Sequence, residues 1–162
     1  MGTCASGTII FQAGAPAPLG ELIASAPLSS CAFVLTPSLA ITDKVLIQFD
    51  VKLPAVAFTD FRRLIQLGSG DDVAVTLGWR GDKLNFTTVA SVESFALLPG
   101  WHRISIQRAM GKYVLFVDGV QLSSGTPMTA LPTAPLVIFG VIDQVAGDIN
   151  VSYDNLLVLN QL

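Results

Sequence analysis

Charge is scarce in this chain: Asp, Glu, Lys and Arg together make up 13% of its 162 residues, about half the usual share. Nine Lys and Arg stand against twelve Asp and Glu, giving a net charge of −3. The basic residues come in ones and twos, Arg62-Arg63 being the densest pair, so no basic stripe can track a phosphate backbone and a nucleic-acid partner is excluded. Adjacent positions on a strand point to opposite faces, which is the reading favoured for that arginine pair. Glutamate is rarer still, with only Glu21 and Glu93, read as lying in a linker and a loop. Glycoside hydrolysis needs two carboxylates about 5 to 9.5 Å apart, so the chain is not read as an enzyme of that kind. There is one histidine, His102, and neither cysteine has a His neighbour in sequence, which leaves no thiol triad to assemble. Apolar runs of the roughly 18 residues that a membrane span needs are also missing, because Pro, Gly, Ser and charges break every one.

Two cysteines, Cys4 and Cys31, enclose 26 residues. They could bridge in an oxidising compartment, yet the sequence favours free thiols, since intracellular chains rarely keep disulfides. Met1 is followed by Gly-Thr-Cys and not by a basic segment and an apolar core. The chain is therefore expected either to act without export or to have lost a secretory signal.

What the sequence has in abundance is apolar residues, 51% of the total, with a mean hydropathy of +0.61. With no span to absorb them, they are expected to fill one core and to leave an apolar surface for self-association. Their spacing is that of strands. Val45, Ile47, Phe49, Val51 and Leu53 alternate with Gln48, Asp50 and Lys52, and Ile104 and Ile106 alternate with Arg103, Ser105 and Gln107. Tyr113–Val117 repeats the pattern, and Asp118-Gly119 suits the positive φ angles of a two-residue primed turn leading into Val120–Ser123. Further strands are read at Thr8–Gln12, Phe61–Leu67, Val73–Trp79, Lys83–Val89, Leu136–Gly140 and Ile149–Leu159. Between Ala13 and Leu28 the chain is rich in Ala, Pro and Gly, and only Gly20–Ala26 could form a helical turn.

Short strands at a spacing of roughly 8 to 12 residues predict an all-β antiparallel two-sheet sandwich. Residues 1–31 are expected to form an arm and residues 32–162 the sandwich domain. The predicted core is Phe49, Val51, Ile65, Leu77, Ile104, Ile106, Leu115, Val117 and Leu157.

Four blocks and the central hairpin resemble the laminin G-like and concanavalin A-like β-sandwich superfamily. Val45–Leu53 is similar to its early long strand, and Phe61–Gly68, with Leu64-Ile65-Gln66-Leu67-Gly68, to a Leu-Ile-x-Leu-Gly strand. Asp72–Leu77 leading to Gly81-Asp82-Lys83-Leu84 resembles its Asp-headed hairpin, and Gly147–Val158 its closing strand. Trp101-His102 and Val117-Asp118-Gly119 resemble the Trp-His opening and Val-Asp-Gly close of its hairpin. One departure is that Gly147 is followed by Asp148, where extracellular laminin G modules often carry a Cys. The resemblance implies a jelly-roll sandwich, a packing or hydrogen-bonding role for His102, and two optional sites. Calcium at a rim would use Asp71 or Asp72 with Asp148 or Asp143, although adjacent Asp beside Gly68-Ser69-Gly70 also serve as turn formers. A sugar could stack on Trp79 at a hairpin tip with Arg80 and Asp82, although a Trp ending an apolar strand more often seals a core. Asp154-Asn155, within the closing strand, is read as structural and hydrogen-bonded.

Two functions follow as expectations. The first is a non-enzymatic assembly module that binds itself or a larger protein lattice, such as a decoration, fibre-base or coat-associated protein at a virion or particle surface. Its alternative is a carbohydrate-binding or adhesion module of a secreted protein.

Overall fold

The computed structural model describes residues 2–4, 8–12, 21–25, 31–35, 44–53, 55, 58–69, 72–88, 91–109, 111–123, 126–127, 137–139 and 150–160. Among them there is no helix; the elements are fifteen strands in two antiparallel sheets.

The first sheet contains β1 (Gly2–Cys4), β4 (Cys31–Leu35), β6 (Phe58–Ser69), β7 (Asp72–Gly81), β8 (Lys83–Thr88), β9 (Val92–Ala96) and β14 (Val137–Phe139). Its order is β1-β4-β14-β6-β7-β8-β9. The second contains β2 (Thr8–Gln12), β3 (Glu21–Ser25), β5 (Val45–Leu53), β10 (Gly100–Ala109), β11 (Lys112–Val117), β12 (Val120–Gln121) and β15 (Asn150–Asn160), in the order β12-β11-β10-β5-β15-β3-β2. β13 (Thr126–Pro127) adds to β11.

The alternating residues of β5, β10 and β11 do what their period dictates. Val45 to Leu53 at odd positions, Ile104, Ile106, Tyr113, Leu115 and Val117 are buried, facing Ile65, Leu67, Leu77, Leu84 and Phe86 of the other sheet. Phe49 and Tyr153 meet at a tilted 6.1 Å, and the Tyr153 hydroxyl donates to the Leu64 carbonyl, tying β15 of one sheet to β6 of the other. Asp118 and Gly119 carry φ of 52° and 80°, the geometry of the expected primed turn, and Val117 pairs with Val120 across it. Arg62 is buried and Arg63 half-buried, opposite Trp79 and Gly78 respectively, so the arginine pair does split between faces.

Two expectations fail. Leu157 is 40% exposed instead of buried. The register of β15 against β5 slips between Asp154 and Leu157, with Asn155 at φ 51°, and the slip sets Leu157 and Leu159 opposite Gln48 and Leu46, on the outward face. Glu21–Ser25 is a strand and not a helical turn, because Leu22 to Ser25 find ladder partners in β15. The described strands of residues 1–31 have ladder partners within the chain: β1 pairs with β4, β2 with β3, and β3 with β15.

Candidate functional site

The outward positions of β5, β10 and β15 form the most connected polar cluster in the described structure. Asp50 on β5 stands opposite Arg103 on β10 and Asp154 on β15. Arg103 Nε donates to Asp50 Oδ1 at 2.7 Å and Nη2 to Oδ2 at 2.8 Å, a two-pronged pairing that fixes the plane of the guanidinium. Asn155 Nδ2 donates to the same Oδ2 at 2.7 Å. Asn155 can reach it because the bulge places it in the left-handed region, which Asn tolerates better than most residues. Asp50 is 5% exposed although it points away from the core; its partners cover it. The Arg103 side chain stays 52% exposed.

This pairing sets the charge state of the site. The Arg103 guanidinium holds the Asp50 carboxyl below the ordinary carboxylate range, Asn155 adds to the effect, and burial opposes it. Asp50 in turn raises the already high value of Arg103. Asp154 Oδ2 is buried beside the pair without a hydrogen-bond partner.

Two residues from Arg103 on the same face lies Trp101, half-buried, with the Lys52 ammonium 5.9 Å from its ring centroid. Gln48 and Ser105 continue the face, the Ser105 hydroxyl 3.3 Å from Gln48 Oε1. The backbone beneath is anchored. Asp118 accepts the Arg103 amide on Oδ1 and meets His102 Nδ1 through Oδ2 at 2.7 Å, while its own amide donates to the Arg103 carbonyl. His102 Nε2 lies 2.7 Å from the Leu98 carbonyl. His102 thus has the hydrogen-bonding role expected of it.

The sugar-site residues proposed from sequence are split between core and surface. Trp79 is 2% exposed, inside the core opposite Leu84, and offers no face to a sugar. Arg80 and Asp82 are exposed outside it, with Arg80 Nε donating to the Thr59 carbonyl. Asp72 opens β7 opposite Ser69, while Asp71, Asp143 and Asp148 lie outside the described residues. Among the described residues no group of three or more His, Cys, Asp or Glu gathers as for a metal ion. Glu93 lies in β9 rather than a loop, and accepts a hydrogen bond from the fully buried Ser123 hydroxyl.

In the sequence, Asp50, Lys52 and Arg103 fall on outward faces with nothing to join them. The available signal was a pair of opposite charges on outward positions of two amphipathic strands, but the register that makes them neighbours spans 53 residues. Asn155 carried no such signal, since only the bulge turns it toward Asp50.

No family model matches the chain, and no curated protein matches it. Solved structures do. The Cellulose induced protein Cip1 superposes with a TM-score of 0.75 at 11% identity, over 96% of this chain and 86% of that one. The binding domain of botulinum neurotoxin DC, in complex with rat synaptotagmin II, gives 0.71 at 13% identity. A structure of botulinum neurotoxin type C, which interacts with two ganglioside molecules, gives 0.68 at 14% identity. Each neurotoxin match covers 96% of this chain and 42% of the other, so the chain spans less than half their length. At such identities the likeness is one of fold: this chain is an antiparallel β-sandwich of the architecture that these structures share.

Proposed function

We propose that the chain is a non-catalytic binding module that takes a carbohydrate on the outer face of the eight-stranded sheet, between Trp101 and Arg103. The observation that carries this reading is the Asp50–Arg103 pairing. A guanidinium has five N–H bonds; Asp50 takes two of them, which leaves three for acceptors in solution, held in a fixed plane. Trp101 lies one pleat repeat away, roughly 7 Å along the strand, close to the width of a pyranose ring. A half-buried indole beside a fixed fork of donors is the combination that sugars use, an apolar ring face with hydroxyl acceptors at its edge. Asp50 neutralises the arginine locally, which favours hydroxyl oxygens over phosphate. The sandwich shared with the ganglioside-interacting neurotoxin structure supports the same direction, and the sparse glutamate argues against hydrolysis.

The test is a glycan array followed by calorimetry on the hits. Retention of a glycan by the wild type, weakened at least about tenfold in Arg103→Ala and in Trp101→Ala, is the expected result. Retention by no glycan, or equal retention by both variants, refutes the reading. Repeating the binding with a chelator tests calcium at Asp71, Asp72 and Asp148, and unchanged retention removes it. The assembly reading is measured by the same sample's mass in light scattering: a large multimer that ignores glycans would restore it.

A further inference from the structure

We propose that Cys4 and Cys31 form a disulfide that closes the β1 edge of the seven-stranded sheet. They are the chain's only two cysteines, and 26 residues separate them, so nothing in the covalent chain forces them together. The ladder does: Gly2 lies opposite Phe33, Thr3 opposite Ala32 and Cys4 opposite Cys31. Directly opposed residues of an antiparallel pair share a face of the sheet, with Cα atoms about 4.5 to 5.5 Å apart. Disulfides span Cα separations of about 4.4 to 6.8 Å. A register slipped by one residue would put the two positions on opposite faces and forbid the bond.

The place of the pair gives the bond its use. β1 is three residues long and lies at the end of its sheet, paired with β4 alone. Between the cysteines run β2 and β3, which belong to the other sheet, where Leu22 and Ile23 pair with Tyr153 and Ser152 just before the Asn155 bulge. One covalent link at the edge of the first sheet therefore closes a loop that holds the β3–β2 edge of the second. Formation is an exchange with a small-molecule disulfide such as oxidised glutathione. One cysteine thiolate attacks it and expels a thiol; the second attacks the mixed disulfide and expels the other, so two protein thiols are oxidised as two small thiols are formed. An oxidising compartment supplies that reagent, and the free-thiol expectation drawn from sequence gives way to the register.

The experiment uses the full chain, equilibrated in a buffer of oxidised and reduced glutathione, acid-quenched, unfolded and treated with iodoacetamide before intact-mass measurement. The expected product carries no alkyl group and no glutathione and weighs two hydrogens less than the reduced chain. Reductant is expected to lower the thermal midpoint by about 5–15 °C. Cys4→Ser and Cys31→Ser should each melt at the reduced temperature and ignore reductant. Alkylation at both positions, glutathione held at either, or a wild-type midpoint that reductant does not move would overturn the proposal. Because labelling is read on the wild type, it decides even where the variants fail to fold.

Discussion

Asp50 shows how an outward position becomes buried. Its alternation with Phe49 and Val51 sends it to the solvent face, yet Arg103 and Asn155 cover it. The folded chain holds its carboxyl below the ordinary value of about 3.9, chiefly through the Arg103 guanidinium. Between the folded and the ordinary value the unfolded chain binds more protons, so stability present above that window is lost as pH falls through it. Asp50→Asn is expected to flatten the acid limb of a stability–pH curve below about pH 4, measured by urea unfolding at several pH values. An unchanged limb would show that the pairing adds nothing. Gly78 makes a different case, because an added Cβ would lie 2.1 Å from the end of the Phe61 ring. Gly78→Ala should lower the melting temperature in the wild type and leave it level or higher in a Phe61→Ala background, where the space is free. Equal losses in both backgrounds would place the cost in the backbone instead.

At the scale of elements, β15 decides what the sequence could reveal. Read as one alternating strand, Ile149 to Leu159 put Leu157 in the core; the bulge at Asn155 splits it into two phases, with Val151 and Tyr153 buried and Leu157 and Leu159 exposed. No residue pattern announces that shift, since Asn, Leu and Leu in succession suit either phase. The long strands β5, β10 and β11 were legible because one of their faces is polar. β4, with the sequence CAFVL, has no polar face to set a period, and β9 runs against the rule, with Glu93 pointing inward and Val92 67% exposed. An inward charge on an edge strand resists pairing with another chain, and Glu93 meets that charge's need through Ser123. Asn155 yields the sharpest prediction at this scale. Asn155→Val, β-branched at φ 51°, should destabilise by about 1–3 kcal/mol. Asn155→Gly keeps the conformation and loses only the bond to Asp50, so its cost should be smaller. If Val and Gly variants unfold at the same denaturant concentration, the bulge is not what the side chain secures.

For the whole molecule the question is where the apolar excess goes. Much of it is spent between the sheets, where Ile106, fully buried, packs among residues of both; Ile106→Ala should cost about 2–5 kcal/mol. Among the described residues, the large apolar side chains left exposed are Val92, Leu98, Val120 and the β15 leucines Leu156, Leu157 and Leu159. An Ala/Pro/Gly segment has little branched apolar surface to hold itself in place, but the described strands of residues 1–31 have partners within the chain: β1 on β4, β2 on β3, and β3 on β15. Deleting residues 2–28 thus removes β1, β2 and β3 together, and strips one edge of each sheet. The Asn150–Tyr153 half of β15 would lose its ladder to Leu22–Ser25 and become an unpaired edge next to the Asn155–Asp50 contact. A detachable arm predicts a truncated chain that is smaller in assembly, unchanged in melting temperature and soluble. An integral one predicts a lower melting temperature and aggregation driven by the bared edges. We expect the second result, measured by light scattering and thermal unfolding of both chains side by side, because a ladder removed from the sandwich cannot be replaced by water without the loss of the packing it aligned.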